Sequence, residues 1–230
     1  MKSTPYILFL LLILLSGIRQ SSIAQSSNLI FGVRAGAGAS FILDDNNDYP
    51  FNGMDNSGGF CFSAGILVNI PISERLSVQP ELLYTSESTH YNGEFYRTTD
   101  NGRLFEKVRM EISELMSTLR VPLLLKLSFG KSTAGQFGVL AGPSFSRVLV
   151  AKDIGKGKST ETNQPINYEV DITEYMEKFQ FGISIGADYR ILENLIVDVR
   201  FNNNLTPRFS EESPYKSSFS NVLLGVGYWF

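Results

Sequence analysis

The chain's one histidine, His90, stands among Ser86, Glu87, Ser88 and Tyr91, the residue types from which a hydrolytic serine site is assembled. A nucleophile, its base and an orienting acid must converge in space, and neighbours this close in sequence seldom do. We identify no orienting acid, so the chain is expected not to be an enzyme and His90 to be a solvated loop residue. A second candidate is Asp44-Asp45-Asn46-Asn47-Asp48, which has the outline of a calcium loop with Asp55 at its twelfth position. Tyr49 occupies the place where the sharp turn needs Gly, and Asp55 is shorter than the usual bidentate Glu, so a polar surface loop is expected. With a single Cys61 and a single His90, an internal disulfide and a Cys/His metal cluster are both excluded. Cys61 reads as a small filler. No metal or cofactor is expected.

A third set of residues is charged or polar and shares one face of strand-like segments: Arg34, Gln79, Glu81, Arg120, Lys126, Asp188, Arg190, Asp198 and Arg200. Charges of both signs in a narrow interior should pair, because an unpaired buried charge is costly. Such a network could be a gated path for small ions or a plug that fixes strand register. An eight-stranded barrel is only just wide enough for its own side chains, which favours the plug.

The elements that would hold these residues are strands of period two. In the closing segment, Ser218 to Phe230, Val222, Leu224, Val226, Tyr228 and Phe230 alternate with Leu223, Gly225, Gly227 and Trp229. An exposed apolar edge of this kind templates aggregation unless it is covered or paired, and closure into a barrel removes the edge. Val226, Tyr228 and Phe230 would serve as the insertion signal. Leu29 to Leu43 alternates apolar residues with Gly32, Arg34, Gly36 and Gly38, and Gly58 to Ile70 alternates Phe60, Phe62 and Ile66 with Cys61, Ser63 and Gly65. After a turn over Pro71 to Arg75, a third strand begins at Leu76. Ser86 to Met116 is polar but still β-rich and reads as the third and fourth strands running on beyond a bilayer, joined near Asp100-Asn101-Gly102. The fourth strand re-enters at Leu119, and a slip of parity between Met116 and Leu119 predicts a bulge. Gln136 to Val150, Phe179 to Arg190 and Leu195 to Asn204 supply three more strands.

These segments predict an all-β, eight-stranded, antiparallel up-and-down transmembrane barrel, or ten strands if Ile166 to Thr173 pairs separately. The long connections near Asp48, Asp100, Lys158 and Ser210 would be extracellular, and both termini periplasmic. Aromatic girdles are expected at strand ends, among them Phe31, Phe41, Phe60, Tyr84, Phe129, Phe137, Tyr189 and Phe201. The other barrel with this pattern is a secreted soluble one whose apolar stripe lines a ligand cavity. Its outward stripe would then be rich in Lys and Glu, whereas the second stripe here is Gly, Ser, Asn and Gln with few charges.

The start of the chain fits export. Lys2 precedes an apolar run from Tyr6 to Leu15 and the small residues Ser21-Ser22-Ile23-Ala24, so residues 1–24 read as a signal peptide and 25–230 as one barrel domain. The apolar run is too short to span a bilayer as a helix. Without the leader the chain carries 18 basic and 23 acidic residues, a net −5, which argues against nucleic acid as a partner.

The segments Leu76-Ser77-Val78-Gln79-Pro80-Glu81-Leu82-Leu83-Tyr84, Leu119 to Lys126, Ala141-Gly142-Pro143 and the aromatic terminus also resemble the PorT-like outer-membrane β-barrel proteins of Bacteroidetes-type bacteria. The resemblance implies an outer-membrane location in a Gram-negative bacterium, lipid as the surrounding partner, and insertion by a barrel assembly machinery that reads the last strand. It implies no substrate. A structural or interaction role at the cell surface is expected, toward a surface protein or polysaccharide, with a small porin-like channel as the alternative.

Overall fold

The computed structural model describes residues 29–44, 54–99, 104–130, 134–209 and 217–230. The leader, the tip of the proposed calcium loop (45–53) and the Asp100 and Ser210 loop tips lie outside them. Nine antiparallel strands follow in chain order: β1 (Ile30–Asp44), β2 (Met54–Pro71), β3 (Leu76–Thr99), β4 (Leu104–Phe129), β5 (Phe137–Ser159), β6 (Pro165–Asp171), β7 (Phe179–Arg190), β8 (Leu195–Asn204) and β9 (Ser217–Trp229). Each strand pairs with its neighbour in sequence except at β6, and β1 pairs with β9, so eight strands close into a ring. Leu29 and Phe230, the turns at 72–75 and 191–194, and Gly130 and Gly135 on either side of a third short connection share one rim. These two glycines adopt positive φ of 95° and 91°, which a side chain would disfavour.

The ninth strand resolves the choice between eight strands and ten. Lower β5 pairs with β7 through Arg147↔Phe179, and upper β5 pairs with β6 from Lys152↔Asp171 to Lys158↔Pro165. β6 and β7 therefore lie end to end along one edge of β5, interrupted by a 3-10 turn at Thr173–Tyr175. The long strands β3, β4 and β5 reach past the ring and, with β6, form a sheet projecting from the long-loop rim.

Around the ring, outward positions are apolar and inward ones polar. Leu224 is 70% exposed and Phe230 74%, whereas Arg120 is 1% exposed. An apolar outside and a charged inside rule out the soluble ligand-cavity barrel. The apolar stretch of β4 runs from Leu119 to Phe129, and about 9–11 residues of tilted strand suffice to cross a hydrocarbon core. Aromatic contacts mark both edges: Phe41 with Phe201 (6.4 Å) and Phe62 with Tyr84 (5.9 Å) toward the long loops, Phe129 with Phe137 (6.3 Å) and Tyr228 with Phe230 (5.7 Å) at the short-turn rim.

The expected slip of parity in β4 does not occur. Its even-numbered residues face inward without a break from Val108 through Met116 and Thr118 to Ser128. The bulge lies on the partner strand instead: Ser117 pairs with Val150 and Thr118 with Val148, leaving Leu149 as the extra residue of β5. The apparent slip has a solvent origin. Beyond the bilayer edge water lies outside, so Val108, Met110 and Ile112 turn inward and Lys107, Arg109 and Glu111 turn outward on an unchanged strand. An Ile183→Arg substitution at the lipid face should lower stability by about 2–4 kcal/mol, measured by denaturant unfolding from lipid vesicles.

Candidate functional site

The barrel interior is layered. At the short-turn rim Leu67, Ile196 and Trp229 pack together against Ile30. Above them lies a belt of charges in which four cations meet four anions. Arg34 forks onto Asp198, its Nε 2.9 Å from Oδ2 and its Nη2 2.5 Å from Oδ1. Lys126 Nζ donates to Asp188 Oδ2 at 2.6 Å and lies 5.9 Å from the Trp229 ring centre. Arg200 Nη2 donates to Glu81 Oε1 at 3.1 Å, and Gln79 Nε2 to the same oxygen at 2.6 Å. Arg120 Nη2 reaches Glu87 Oε1 at 3.4 Å, and its Nε donates to Ser146 Oγ at 3.2 Å. Arg200 Nε also stands 3.5 Å from Asp198 Oδ1, which joins two of the pairs.

Glycines make room for these pairs. A Cβ on Gly225 would come within 2.7 Å of both Arg34 Nη2 and Asp198 Oδ2, and one on Gly138 would run into the Asp188 carboxylate and stand 2.9 Å from Lys126 Cε. The glycine stripe and the charge belt are thus two sides of one packing solution, large heads lying flat on strands that have no side chain beneath.

Toward the long-loop rim the belt continues as amides. Ser184 Oγ donates to Asn202 Oδ1 at 2.6 Å, Asn202 Nδ2 to Asn221 Oδ1 at 2.7 Å, and Asn221 Nδ2 to Glu87 Oε1. Above this row Arg208, 0% exposed, reaches in from the last loop. Its Nη1 donates to Glu114 Oε1 at 2.6 Å, its Nε to Ser217 Oγ at 2.8 Å, and its head lies 4.7 Å and 5.2 Å from the Phe209 and Phe219 rings. Met116, Val148, Ala151, Met176 and Phe219 close the top with Phe209 packed against them, and Tyr91, Val108, Met110 and Ile112 form a further cluster inside the projecting sheet.

Of the residues singled out in the sequence, Arg34, Glu81, Arg120, Lys126, Asp188, Asp198 and Arg200 meet in this belt, while Arg190 sits half-buried at the short-turn rim. Glu87, placed with the external residues around His90, instead faces inward. Its odd number puts it on the same face as Gln79, Glu81 and Thr85, a signal present in the sequence. Glu114 shares the even parity of Arg120 and Lys126 on β4, a signal likewise present in the sequence, whereas Arg208 carries none, because a loop residue has no parity. Val226, Tyr228 and Phe230 face outward at the end of the chain.

His90 lies on the outer face, its Nδ1 2.9 Å from Ser113 Oγ on β4. A serine and a histidine in contact are not enough for acyl transfer, since an oxyanion needs free N–H donors. Here β3 and β4 are paired in unbroken register through His90↔Ser113. No group of three or more His, Cys, Asp or Glu that could hold a metal occurs among the described residues. Cys61 is fully buried on the inner face.

Outside the membrane span, burial pushes the Asp153 carboxyl up to about 6. Burial likewise holds Glu114 well above the usual carboxylate range, with the Asp153 charge adding to the effect.

In comparisons with known proteins, residues 23–210 match the family model described as outer membrane protein beta-barrel domain. No curated protein matches. Among solved structures, Ail of Yersinia pestis, in complex with the heparin analogue sucrose octasulfate, is 12% identical over 88% of this chain and 99% of its own, with a TM-score of 0.39. The N-terminal β-barrel domain of Pseudomonas aeruginosa OprF is 12% identical over 90% and 100%, with a TM-score of 0.39. OprG of the same organism is 13% identical over 88% and 94%, with a TM-score of 0.38.

Two outcomes follow from the belt and from Asp153. Arg34→Met or Asp198→Leu alone should cost about 3–5 kcal/mol, because each strands its partner, while the double variant should return close to the parent in denaturant unfolding. Between pH 3.8 and about 6 the folded chain keeps a proton on Asp153 that the unfolded chain releases, so this group's contribution to stability falls as pH rises through that window. Asp153→Asn should remove that part of the slope in unfolding measured across the window.

Proposed function

This chain belongs to the outer membrane protein beta-barrel domain family, and from that membership we propose that it is a closed barrel whose projecting sheet is its working surface at the outside of the cell. The observation that carries this reading is the capping of the charge belt at both ends, by Leu67, Ile196 and Trp229 below and by Met116, Val148, Met176 and Phe219 above. An ion entering from either side meets an apolar layer and then four cation–anion pairs whose charges already offset one another. In this reading the long loops and the sheet face outward and both termini lie in the periplasm. The chain reads as a non-enzymatic surface protein, inserted by recognition of its aromatic last strand.

The sheet is suited to contact. Its inner side is packed on Tyr91, Val108, Met110 and Ile112, so it holds its shape beyond the membrane, and its outer side presents Lys107, Arg109, Lys156 and Lys158 beside Glu94, Glu111, Asn92 and Asn167. Arg109 and Lys107 both reach Glu94 at 2.6 Å. A mixed-charge, amide-rich face of this kind fits a polar surface partner, a protein or a polysaccharide. The resemblance to PorT-like proteins adds no substrate to this reading.

Recording from the refolded chain in planar bilayers tests the proposal. The parent should give no steady conductance at moderate voltage. Steady channels that lose current when Arg200 or Arg120 is neutralised would favour the small-pore reading instead.

A further inference from the structure

On the outer wall at membrane level, one charged side chain breaks the apolar surface of the described strands. Arg147 of β5 is exposed, stands opposite Leu119 on β4 and Phe179 on β7, and holds its guanidinium carbon 5.8 Å from the centre of the Phe179 ring. It does not mark the end of the apolar surface, because Leu149 and Val150, farther along the same strand, are 43% and 42% exposed. No carboxylate lies within ion-pairing distance of it among the described residues. Lys178, also exposed and without an ion-pair partner there, sits beside it: the Lys178 carbonyl accepts the Val148 N–H at 3.0 Å. The neighbouring Lys152 is engaged with Glu169 at 2.7 Å.

A cation turned toward lipid needs an anion, and where the described residues supply none the headgroup layer is the nearest source. Phe179 and Tyr84 place Arg147 at the girdle on the long-loop side, the depth at which headgroups begin. We propose that Arg147 and Lys178 together bind the phosphate of an outer-leaflet lipid, with Phe179 packed against the apolar part of the same molecule. Guanidinium and ammonium suit the role, one as a fork and the other as a mobile point charge. The site rests on the membrane placement but not on whether the lumen conducts.

The full chain, folded in neutral detergent, can be mixed with phosphorylated or dephosphorylated lipid A and read by native mass spectrometry. The parent should retain the phosphorylated lipid in preference, and Arg147→Gln or Lys178→Gln should each weaken retention about fivefold, the contribution of roughly one surface cation. Arg147→Lys should keep most of the binding. A shift in gel mobility between unheated and heated samples reports that each variant is folded. Equal retention of the two lipids, or a folded Arg147→Gln variant that binds like the parent, would overturn the proposal. Displacement by inorganic phosphate alone would mark a free-anion site and overturn the lipid assignment. A chain that stays in solution without detergent would instead sink the membrane placement itself.

Discussion

Hydrocarbon offers no hydrogen bonds, so each backbone N–H and C=O at membrane depth must be bonded within the protein. The β1–β9 ladder, running from Gly32↔Trp229 to Asp44↔Ser217, meets that demand by leaving the sheet without an edge inside the bilayer. Closure at eight strands then fixes what the interior can hold. The bore admits side chains and little else, so at two of the paired heads the wall beneath is glycine. Gly225 under Arg34 and Asp198, and Gly138 under Lys126 and Asp188, follow from that narrowness as directly as the ladder follows from the lipid.

Past the long-loop girdle the same strands meet a different solvent on their outer side. Nothing in the backbone changes, yet the chemistry of the two faces exchanges: Met110 and Ile112 become core, and Arg109 and Glu111 become surface. One continuous β4 thereby belongs to two cores, a polar one within the bilayer and an apolar one outside it. The bulge at Leu149 falls near this exchange and re-aims β5 toward its pairing with β6. Tyr168 of β6 lies across Gly155 of β5, where a Cβ would collide with its ring, so the outer sheet again uses an aromatic over a bare strand.

Much of the barrel was legible in the sequence because alternation alone identifies a strand with two unlike environments. The strands through Phe31, Phe62, Leu123, Phe181 and Leu224 kept their parity, and the charged residues on their inner faces are where that parity puts them. What alternation could not show was which side is wet. Met116 and Leu119 looked out of phase only if the outside stayed apolar, and Glu87 looked external only because Ser86 and Ser88 are polar. Arg208 was illegible for another reason: it comes from a connection, and its place was set by the gap left among Glu114, Tyr91 and Phe219. The segment Ile166 to Thr173 leaves open whether it pairs separately, because its partner follows from where β7 begins and not from its own residues.

The pairing of Arg34 with Asp198, Arg120 with Glu87, Lys126 with Asp188 and Arg200 with Glu81 has an electrical consequence. Each pair sets a cation beside an anion, and the four together carry no net charge. A voltage between the two sides of the membrane therefore exerts opposing forces that cancel within each pair, and little work is done on the lumen as a whole. The wall can sit in a fluctuating Donnan field without a gating charge to be dragged through it.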